Sequence, residues 1–444
     1  MPKNYGNQRD IPSVDFLIEN LDSNNIPRPL LSKLVRDELK KIRKTEKVPS
    51  KSEIIDLLNK KQSDLILSRI KPIINGTGVV IHTNLGRSPI DIPDGSGGYL
   101  NLEFDLSNGK RGDRAIYVEK CLAALLNTQS GMFVNNCAAA LILILKILRP
   151  NKNKVIISRG ELIQIGGGFR LPEILQASGS ELCEIGTTNK TTINDYEKSI
   201  DSNTGLILKV HRSNFSMDGF VGSPTRRELG LLAKKKRIPL IEDLGSGVLH
   251  SYDCFVEPDL NPRRVLKEGV DLVCFSGDKL MGGAQTGVIA GKKRLINYLK
   301  KQPIYRAFRC DKMVLTVMQN VLEKYLNKEV EHLKINKIIT EALNTLKQRA
   351  QKIVSDLKGL ELDTDIIPCT STIGGGTSPK AKINSIGLKF SAKKLTASQI
   401  AERMRNTKIP IIGLIKGGKY FLDLRTIFPE QDKFLLSGLR EIIE

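Results

Sequence analysis

Between about residue 71 and residue 320, short apolar runs alternate with helical patterns, and this alternation restricts the fold more than any other feature. Four of the runs span residues 154–158, 205–211, 239–243 and 271–276. A helical pattern such as residues 224–237 lies between two of them. Strands separated by helices predict an α/β fold with a largely parallel sheet that is covered on both faces.

Three of these strands end in polar side chains, namely His211, Asp243 and Ser276. In open sheets of this kind, ligands bind at the carboxyl ends of the strands. The three side chains are therefore candidates for chemistry.

Two smaller regions flank this part of the 444-residue chain, a length for which two or three domains are expected. Residues 1–70 are predicted to form a small helical domain. Apolar residues between Leu30 and Leu39 recur at helical spacing, and a second short helix follows Pro49 with Ser50 or Ser52 as its N-cap.

The C-terminal region, residues 321–444, is predicted to be a small α+β domain. A long amphipathic helix over about residues 314–358 leads into it, and residues 421–425 are predicted to form a late strand. Residues 71–320 between the two flanking regions form the large domain of this prediction.

The formal net charge is +21, and the predicted N-terminal helices carry one strongly basic side. Two explanations remain open at this point. Either the composition is rich in lysine and the charges form a solvated surface, or the protein binds a polyanion such as a nucleic acid.

Composition also argues against several classes of protein. No apolar stretch approaches the roughly 20 residues of a membrane helix, and residues 1–15 are too polar for a secretory signal. The seven cysteines are scattered without a Cys-x-x-Cys pair, and there are four histidines. We therefore expect reduced thiols, a cytoplasmic location, no membrane association and no metal site.

Lys279 follows the strand that ends at Ser276, in the run Ser276-Gly277-Asp278-Lys279. Desolvation at a buried strand end lowers the pKa of a lysine, which frees its amine to form a Schiff base with pyridoxal phosphate (PLP). Ser276 could hydrogen-bond the cofactor phosphate. Taken alone the motif is weak, because many surface lysines follow strands.

Asp243 lies at the end of an earlier strand, where a carboxylate can pair with the pyridine nitrogen of PLP. An N-cap aspartate is the ordinary alternative. Asn136, Cys137 and Ala138 open an apolar helix whose first N–H groups could face a phosphate, although an ordinary buried helix start explains them as well. Arg87, Arg306 and Arg309 suit oxyanions, but each alone is as consistent with the surface.

Taken together, these motifs resemble the bacterial selenocysteine synthase family (L-seryl-tRNA(Sec) selenium transferase). The resemblance runs in order over nearly the whole chain and also covers residues 75–87, 101–112, 158–162, 186–191, 209–211, 242–247, 276–283 and 422–426.

The resemblance implies a fold-type-I PLP-dependent transferase of the aspartate-aminotransferase type, with Lys279 as the Schiff-base lysine and Asp243 at the pyridine nitrogen. It places residues 136–138 and Ser276 near the cofactor phosphate, and His211 in the cofactor site. It also implies that Asp278 and three arginines form a pocket for selenophosphate: Arg87, Arg306 and Arg309.

The implied reaction converts L-seryl-tRNA(Sec) to L-selenocysteinyl-tRNA(Sec) with selenophosphate, through a PLP-bound aminoacrylyl group. The resemblance also implies that the N-terminal domain binds the tRNA, and that the chains form a cytoplasmic ring of dimers, expected to be a decamer. The alternatives are a related PLP lyase that acts on a small amino acid without tRNA, and a tRNA-binding protein without catalysis.

The chain departs from the family pattern at four places. Residues 91–98 form a shorter segment, too rich in Gly and Pro for a helix. Cys137 stands where the family usually has Asn, Gly168 where it has Ser, and Arg212 where it has Thr. The loss of a hydroxyl at Gly168 is expected to weaken a cofactor contact.

Overall fold

The computed structural model describes residues 11–21, 26–45, 47–95, 97–148, 151–164, 168, 170–253 and 258–443. The chain divides into two compact units. The first comprises residues 1–74 and 402–411, and the second comprises residues 75–401 and 412–444.

The α-helices within the described residues are α1 (Val14–Glu19), α2 (Arg28–Ile42), α3 (Lys51–Leu67), α4 (Ile116–Leu126), α5 (Cys137–Ile144), α6 (Leu171–Ala177), α7 (Ile193–Ser199), α8 (Arg226–Lys236), α9 (Pro262–Lys267), α10 (Lys293–Lys300), α11 (Tyr305–Phe308), α12 (Lys312–Leu326), α13 (Lys334–Thr340), α14 (Leu343–Asp356), α15 (Ala397–Asn406) and α16 (Asp432–Glu441).

The strands are β1 (Ile74–Asn75), β2 (Val79–Ile81), β3 (Phe104–Asp105), β4 (Lys110–Arg111), β5 (Ser130–Val134), β6 (Lys154–Ser158), β7 (Glu181–Ile185), β8 (Thr204–Val210), β9 (Leu240–Ser246), β10 (Leu272–Ser276), β11 (Gly287–Gly291), β12 (Asp363–Gly374), β13 (Lys382–Ser391), β14 (Ile411–Ile412), β15 (Leu414–Lys416) and β16 (Lys419–Asp423).

The first unit contains the helices predicted near the N-terminus. α2 buries Leu31, Val35 and Leu39 in a cluster that also includes Ile54 and Leu58 of α3. Ser50 caps α3, since its hydroxyl accepts the Glu53 N–H while the Glu53 carboxylate accepts the Ser50 N–H. The predicted helices and the cap are confirmed. The lysines and arginines of α2 lie on its exposed side.

A seven-stranded sheet forms the centre of the second unit, in the order β5-β11-β10-β9-β8-β6-β7. Its strands run parallel except β11, which is antiparallel to both β10 and β5. Alternate residues of one strand enter different clusters: Ile156 packs on one face, and Val155 and Ile157 pack on the other. Both faces are therefore buried, and the predicted α/β sheet is confirmed.

A second sheet has the order β15-β16-β13-β12-β2. Asp423, at the end of β16, is buried and accepts hydrogen bonds from the hydroxyls of Ser371 at 2.7 Å and Ser385 at 2.5 Å. The strand predicted over residues 421–425 ends at Asp423, because residues Leu424–Thr426 turn into a 3₁₀ helix capped by its side chain.

The long helix predicted over residues 314–358 was wrong. α12 ends at Leu326, and Lys328 adopts a left-handed conformation with φ of 64° that an α-helix cannot accommodate. A 3₁₀ turn, α13 and α14 follow. The boundary predicted at residue 320 falls within α12.

The short segment after Arg87 has no helix in residues 91–95 and 97–98, as its Gly and Pro content predicts. Asp91 forms ion pairs with Lys324 of α12 and Lys334 of α13 at 3.5 and 3.0 Å. Within the described part of the chain, the helices are all too short or too polar to cross a membrane.

Candidate active site

Three adjacent strands of the central sheet end at the same edge. The register pairs Asp243 of β9 with Val210 of β8 on one side and with Cys274 of β10 on the other. His211 follows β8, and its N–H donates to the Asp243 carbonyl at 2.8 Å. The polar residues identified from the sequence are therefore neighbours in space, although Asp243 lies within β9 and not at its end, because the strand continues to Ser246.

A cavity of about 660 Å³, here called the active cavity, opens at this edge. Eight of the predicted site residues line it: Arg87, Asn136, Cys137, Ala138, His211, Asp243, Ser276 and Lys279. The other three predicted residues are Asp278, Arg306 and Arg309.

Lys279 lies in a tight turn after β10, in which the Gly282 N–H donates to the Lys279 carbonyl at 2.9 Å and the Gly283 N–H donates to the Gly277 carbonyl at 2.9 Å. Added side chains at Gly277 and Gly283 would collide with Thr286 and Met318. Desolvation lowers the pKa of Lys279, although Cys137 and Asp243 oppose this shift. The turn thus presents an amine that loses its proton more readily than an ordinary lysine.

Asp243 is the carboxylate of the active cavity. Its Oδ1 accepts the Gly245 N–H at 2.8 Å and the Cys137 thiol at 3.6 Å. Desolvation raises the pKa of Asp243, while these hydrogen bonds and the charge of Lys279 lower it. A cationic or N–H donor in the cavity would therefore be a favourable partner for this carboxylate.

Two thiols adjoin Asp243, a feature that the sequence did not suggest. The ligand atoms of Cys137, Asp243 and Cys274 lie within 4.8 Å of one another. A hydrogen bond with Cys137, together with burial, raises the pKa of Cys274 well above its usual value. Both effects favour the protonated thiol at Cys274.

α5 begins at the active cavity. Asn136 is its N-cap, with the side-chain oxygen accepting the Ala139 N–H at 2.8 Å. The N–H groups of Cys137 and Ala138 also lie in the first turn, where an α-helix leaves its donors without internal partners. The ordinary capping role and a phosphate-binding role are thus compatible, because they use different groups.

Arg87 forms an ion pair with Asp278, with 2.8 Å between Nη1 and Oδ2. Asp278 does not line the active cavity, but it is buried and holds Arg87 at the cavity wall. Its Oδ1 has no hydrogen-bond partner among the described residues.

Arg306 and Arg309 do not line the active cavity of the single chain. Arg306 is exposed on α11, and Arg309 pairs with Glu103 at 3.1 Å. The segment is nevertheless close to α5, since the Phe308 carbonyl accepts the Asn135 N–H at 2.9 Å.

His211 is half-buried in the cavity wall. Desolvation lowers its pKa to about 4, with Asp259 opposing the shift and Arg226 adding to it. The imidazole is therefore uncharged at neutral pH and can act as a neutral hydrogen-bonding and packing group.

Sequence reasoning missed several lining residues, among them Thr83, Ser213, Gln285 and Gly375. Thr83 lies within the motif of residues 75–87, and the Gly374–Gly376 run also carried a signal, because three consecutive glycines mark an unusual turn and all three have positive φ. Gly168 also lines the cavity, and none of the described residues lies within 4 Å of the place where its Cβ would stand. Its neighbours Gly166, Gly167 and Phe169 lie outside the described residues.

Comparison with solved structures supports the fold. The structure of D-glucosaminate-6-phosphate ammonia-lyase matches with a TM-score of 0.56 at 20% sequence identity, covering 84% of this chain and 96% of that chain. The predicted fold-type-I α/β architecture is confirmed.

Comparison with curated proteins gives relatives along nearly the whole chain. The L-seryl-tRNA(Sec) selenium transferase of Alkaliphilus oremlandii is 36% identical over 98% of both chains. That of Aquifex aeolicus is 38% identical over 98% of both. That of Clostridium perfringens is 41% identical over 87% of this chain and 85% of its own.

The family model for SelA, L-seryl-tRNA selenium transferase, matches residues 73–428. This match includes every residue that lines the active cavity. The chain therefore belongs to the L-seryl-tRNA selenium transferase family.

Proposed function

We infer that this protein converts L-seryl-tRNA(Sec) to L-selenocysteinyl-tRNA(Sec), with selenophosphate as the selenium donor and PLP as the cofactor. Family membership supports the overall reaction. The single observation that carries the chemistry is the placement of Lys279 and Asp243 in one cavity, with opposite pKa shifts caused by the same desolvation.

The residues of the active cavity suit PLP. Lys279 would hold the aldehyde carbon, and Asp243 would hold a proton on the ring nitrogen. The first turn of α5 and the Ser276 hydroxyl would bind the phosphate, and His211 would contact the cofactor as an uncharged imidazole. When bound, PLP supplies an electron sink for the α-carbon of the seryl group.

The chain's own groups then account for the proton transfers. Lys279 removes the α-proton, since burial lowers the pKa of its amine and so favours the uncharged, basic form. The β-hydroxyl leaves with a proton as water. Selenium adds at the β-carbon, a proton returns to the α-carbon, and the phosphoryl group of the donor is released to water as phosphate.

We propose that Arg87, oriented by Asp278, binds the selenophosphate oxyanion at the wall of the active cavity. Guanidinium groups suit such ligands because they donate two parallel hydrogen bonds. Arg306 and Arg309 remain proposed members of this pocket; their segment lies beside the start of α5.

We also propose that the basic N-terminal helices of residues 1–70 bind the tRNA, that residues 71–320 and 321–444 act as the large and small domains, and that the protein works in the cytoplasm as a ring of dimers, a decamer. The exposed lysines and arginines of α2 support the RNA contact. Mass measurement in solution tests the decamer.

A comparison of three candidate substrates, each supplied separately, tests the proposed function. PLP-loaded protein is given selenophosphate with seryl-tRNA(Sec), seryl-tRNA(Ser) or free serine, and the selenium-containing product is identified by mass spectrometry. We expect product from seryl-tRNA(Sec) alone. Elimination from free serine without turnover of the charged tRNA would instead establish the small-molecule lyase.

A further inference from the structure

A second cavity, of about 700 Å³, adjoins the active cavity and is here called the flanking cavity. Val210 and His211 line both. The loop after β8 forms the partition, because Ser213 and Asn214 face the active cavity while Phe215, two residues past Ser213, lines the flanking cavity.

The flanking cavity carries excess positive charge. Six of its lining residues are lysine or arginine and four are aspartate or glutamate. Lys209, Arg226, Arg264 and Lys380 are each neutralised in an ion pair. Arg212 and Arg227 form no ion pair with any residue that the structure describes, so both charges are available to an anion.

Uncharged side chains also line the flanking cavity. Phe215 lines the cavity and keeps 36% of its surface exposed, so its ring is accessible to a ligand. Thr377 also lines the cavity, and its buried hydroxyl has no hydrogen-bond partner among the described residues. These groups suit single-stranded RNA, in which phosphates bind cationic side chains, bases stack on aromatic rings and ribose hydroxyls form hydrogen bonds.

We propose that the flanking cavity receives the single-stranded 3′ end of the aminoacylated RNA and leads it to Lys279. Arg212 and Arg227 contact the phosphates, and a base stacks on Phe215. This inference rests on the proposed function, because only a substrate esterified to RNA must bring nucleotides to the active cavity.

The test uses PLP-loaded protein and two RNAs: intact seryl-acceptor tRNA(Sec), and the same tRNA without its four unpaired 3′ nucleotides. Affinities are measured over a range of salt concentrations. The variant Arg212→Gln/Arg227→Gln removes two charges. The variant Lys198→Gln/Lys234→Gln is the matched control, since it removes two charges from exposed positions on α7 and α8 that do not line the cavity.

We expect wild-type protein to bind intact tRNA more tightly than shortened tRNA. Removing each phosphate contact should lower the slope of log Kd against log salt by about 0.7 for the intact RNA alone. Phe215→Ala should weaken binding of the intact RNA roughly tenfold and leave the shortened RNA unaffected. In turnover assays, Arg212→Gln/Arg227→Gln and Phe215→Ala should each raise KM for the charged tRNA more than they lower kcat.

Equal losses for intact and shortened RNA, or losses equal to those of the control, would overturn the inference. So would a change in solution mass caused by Phe215→Ala without a change in the preference for intact RNA, because the loop would then be a contact between copies of the chain. The proposed function fails separately, if wild-type protein makes no selenocysteinyl-tRNA.

Discussion

The thiol of Cys137 donates to Oδ1 of Asp243 at 3.6 Å, on the oxygen that also accepts the Gly245 N–H. Cys137 therefore helps to keep Asp243 ionised in a place where desolvation opposes the charge. Cys137 thus acts on the carboxylate that we propose as the partner of the cofactor.

Replacing Cys137 by alanine removes one of the two donors to Asp243 Oδ1. We expect the pKa of Asp243 to rise further and the affinity for PLP to fall about fivefold, which corresponds to about 1 kcal/mol for one hydrogen bond. Titration of the apo protein with PLP, followed by absorbance, measures this. Cys183→Ala, on the outer strand β7, should leave the titration unchanged. Equal affinity for PLP in the two variants would show that the Cys137 thiol does not support cofactor binding.

Asp278→Asn keeps the size of the side chain but removes the charge that orients Arg87. If Arg87 binds selenophosphate, KM for selenophosphate should rise about tenfold, the loss of one charge-assisted interaction of about 1.4 kcal/mol. KM for seryl-tRNA(Sec) should not change. Asp201→Asn, which breaks the ion pair with Lys154 far from the cavity, is the control. Unaltered selenophosphate kinetics in Asp278→Asn would contradict the assignment.

His211 makes stability depend on pH. Its pKa is about 4 in the folded protein and near 6.5 when unfolded. Between these values the unfolded chain binds more protons, so the free energy of unfolding falls as pH is lowered from 6.5 towards 4, by up to about 3 kcal/mol. His211→Gln should reduce this fall, as measured by urea unfolding at pH 7 and pH 5. Identical pH slopes in both proteins would show that His211 is not desolvated.

Arg226 holds α8 to the central sheet through two bonds of 2.8 Å to the buried Glu242 carboxylate. Arg226→Ala leaves that carboxylate without its partner, and we expect a loss of about 3–5 kcal/mol in the free energy of unfolding. Arg227→Ala, at the next and exposed position, should change it by less than about 0.5 kcal/mol. Similar losses for the two variants, measured by urea unfolding, would refute the structural role of the ion pair.

The central strands and the order of the site elements could be predicted because their signals are local. Each apolar run of the sheet is bounded by polar turns, and the Ser276–Lys279 turn lies within four residues. The sequence could not predict the place of Gly375 in the cavity wall or the pairing of Thr372 with Val79. Contacts between residues so distant in sequence leave no periodic signal. The break after α12 was missed because amphipathic spacing continues through Lys328, and no local residue pattern marks its left-handed φ.

The most direct test follows selenium from labelled selenophosphate into the amino acid esterified to tRNA(Sec), with wild-type protein and with Lys279→Ala. We expect one selenium per seryl group converted by wild-type protein and none by the variant, while both proteins bind the tRNA with equal affinity. The proposed role of Lys279 would be wrong if Lys279→Ala incorporated selenium at the wild-type rate. The proposed function would be wrong if PLP-loaded wild-type protein incorporated no selenium.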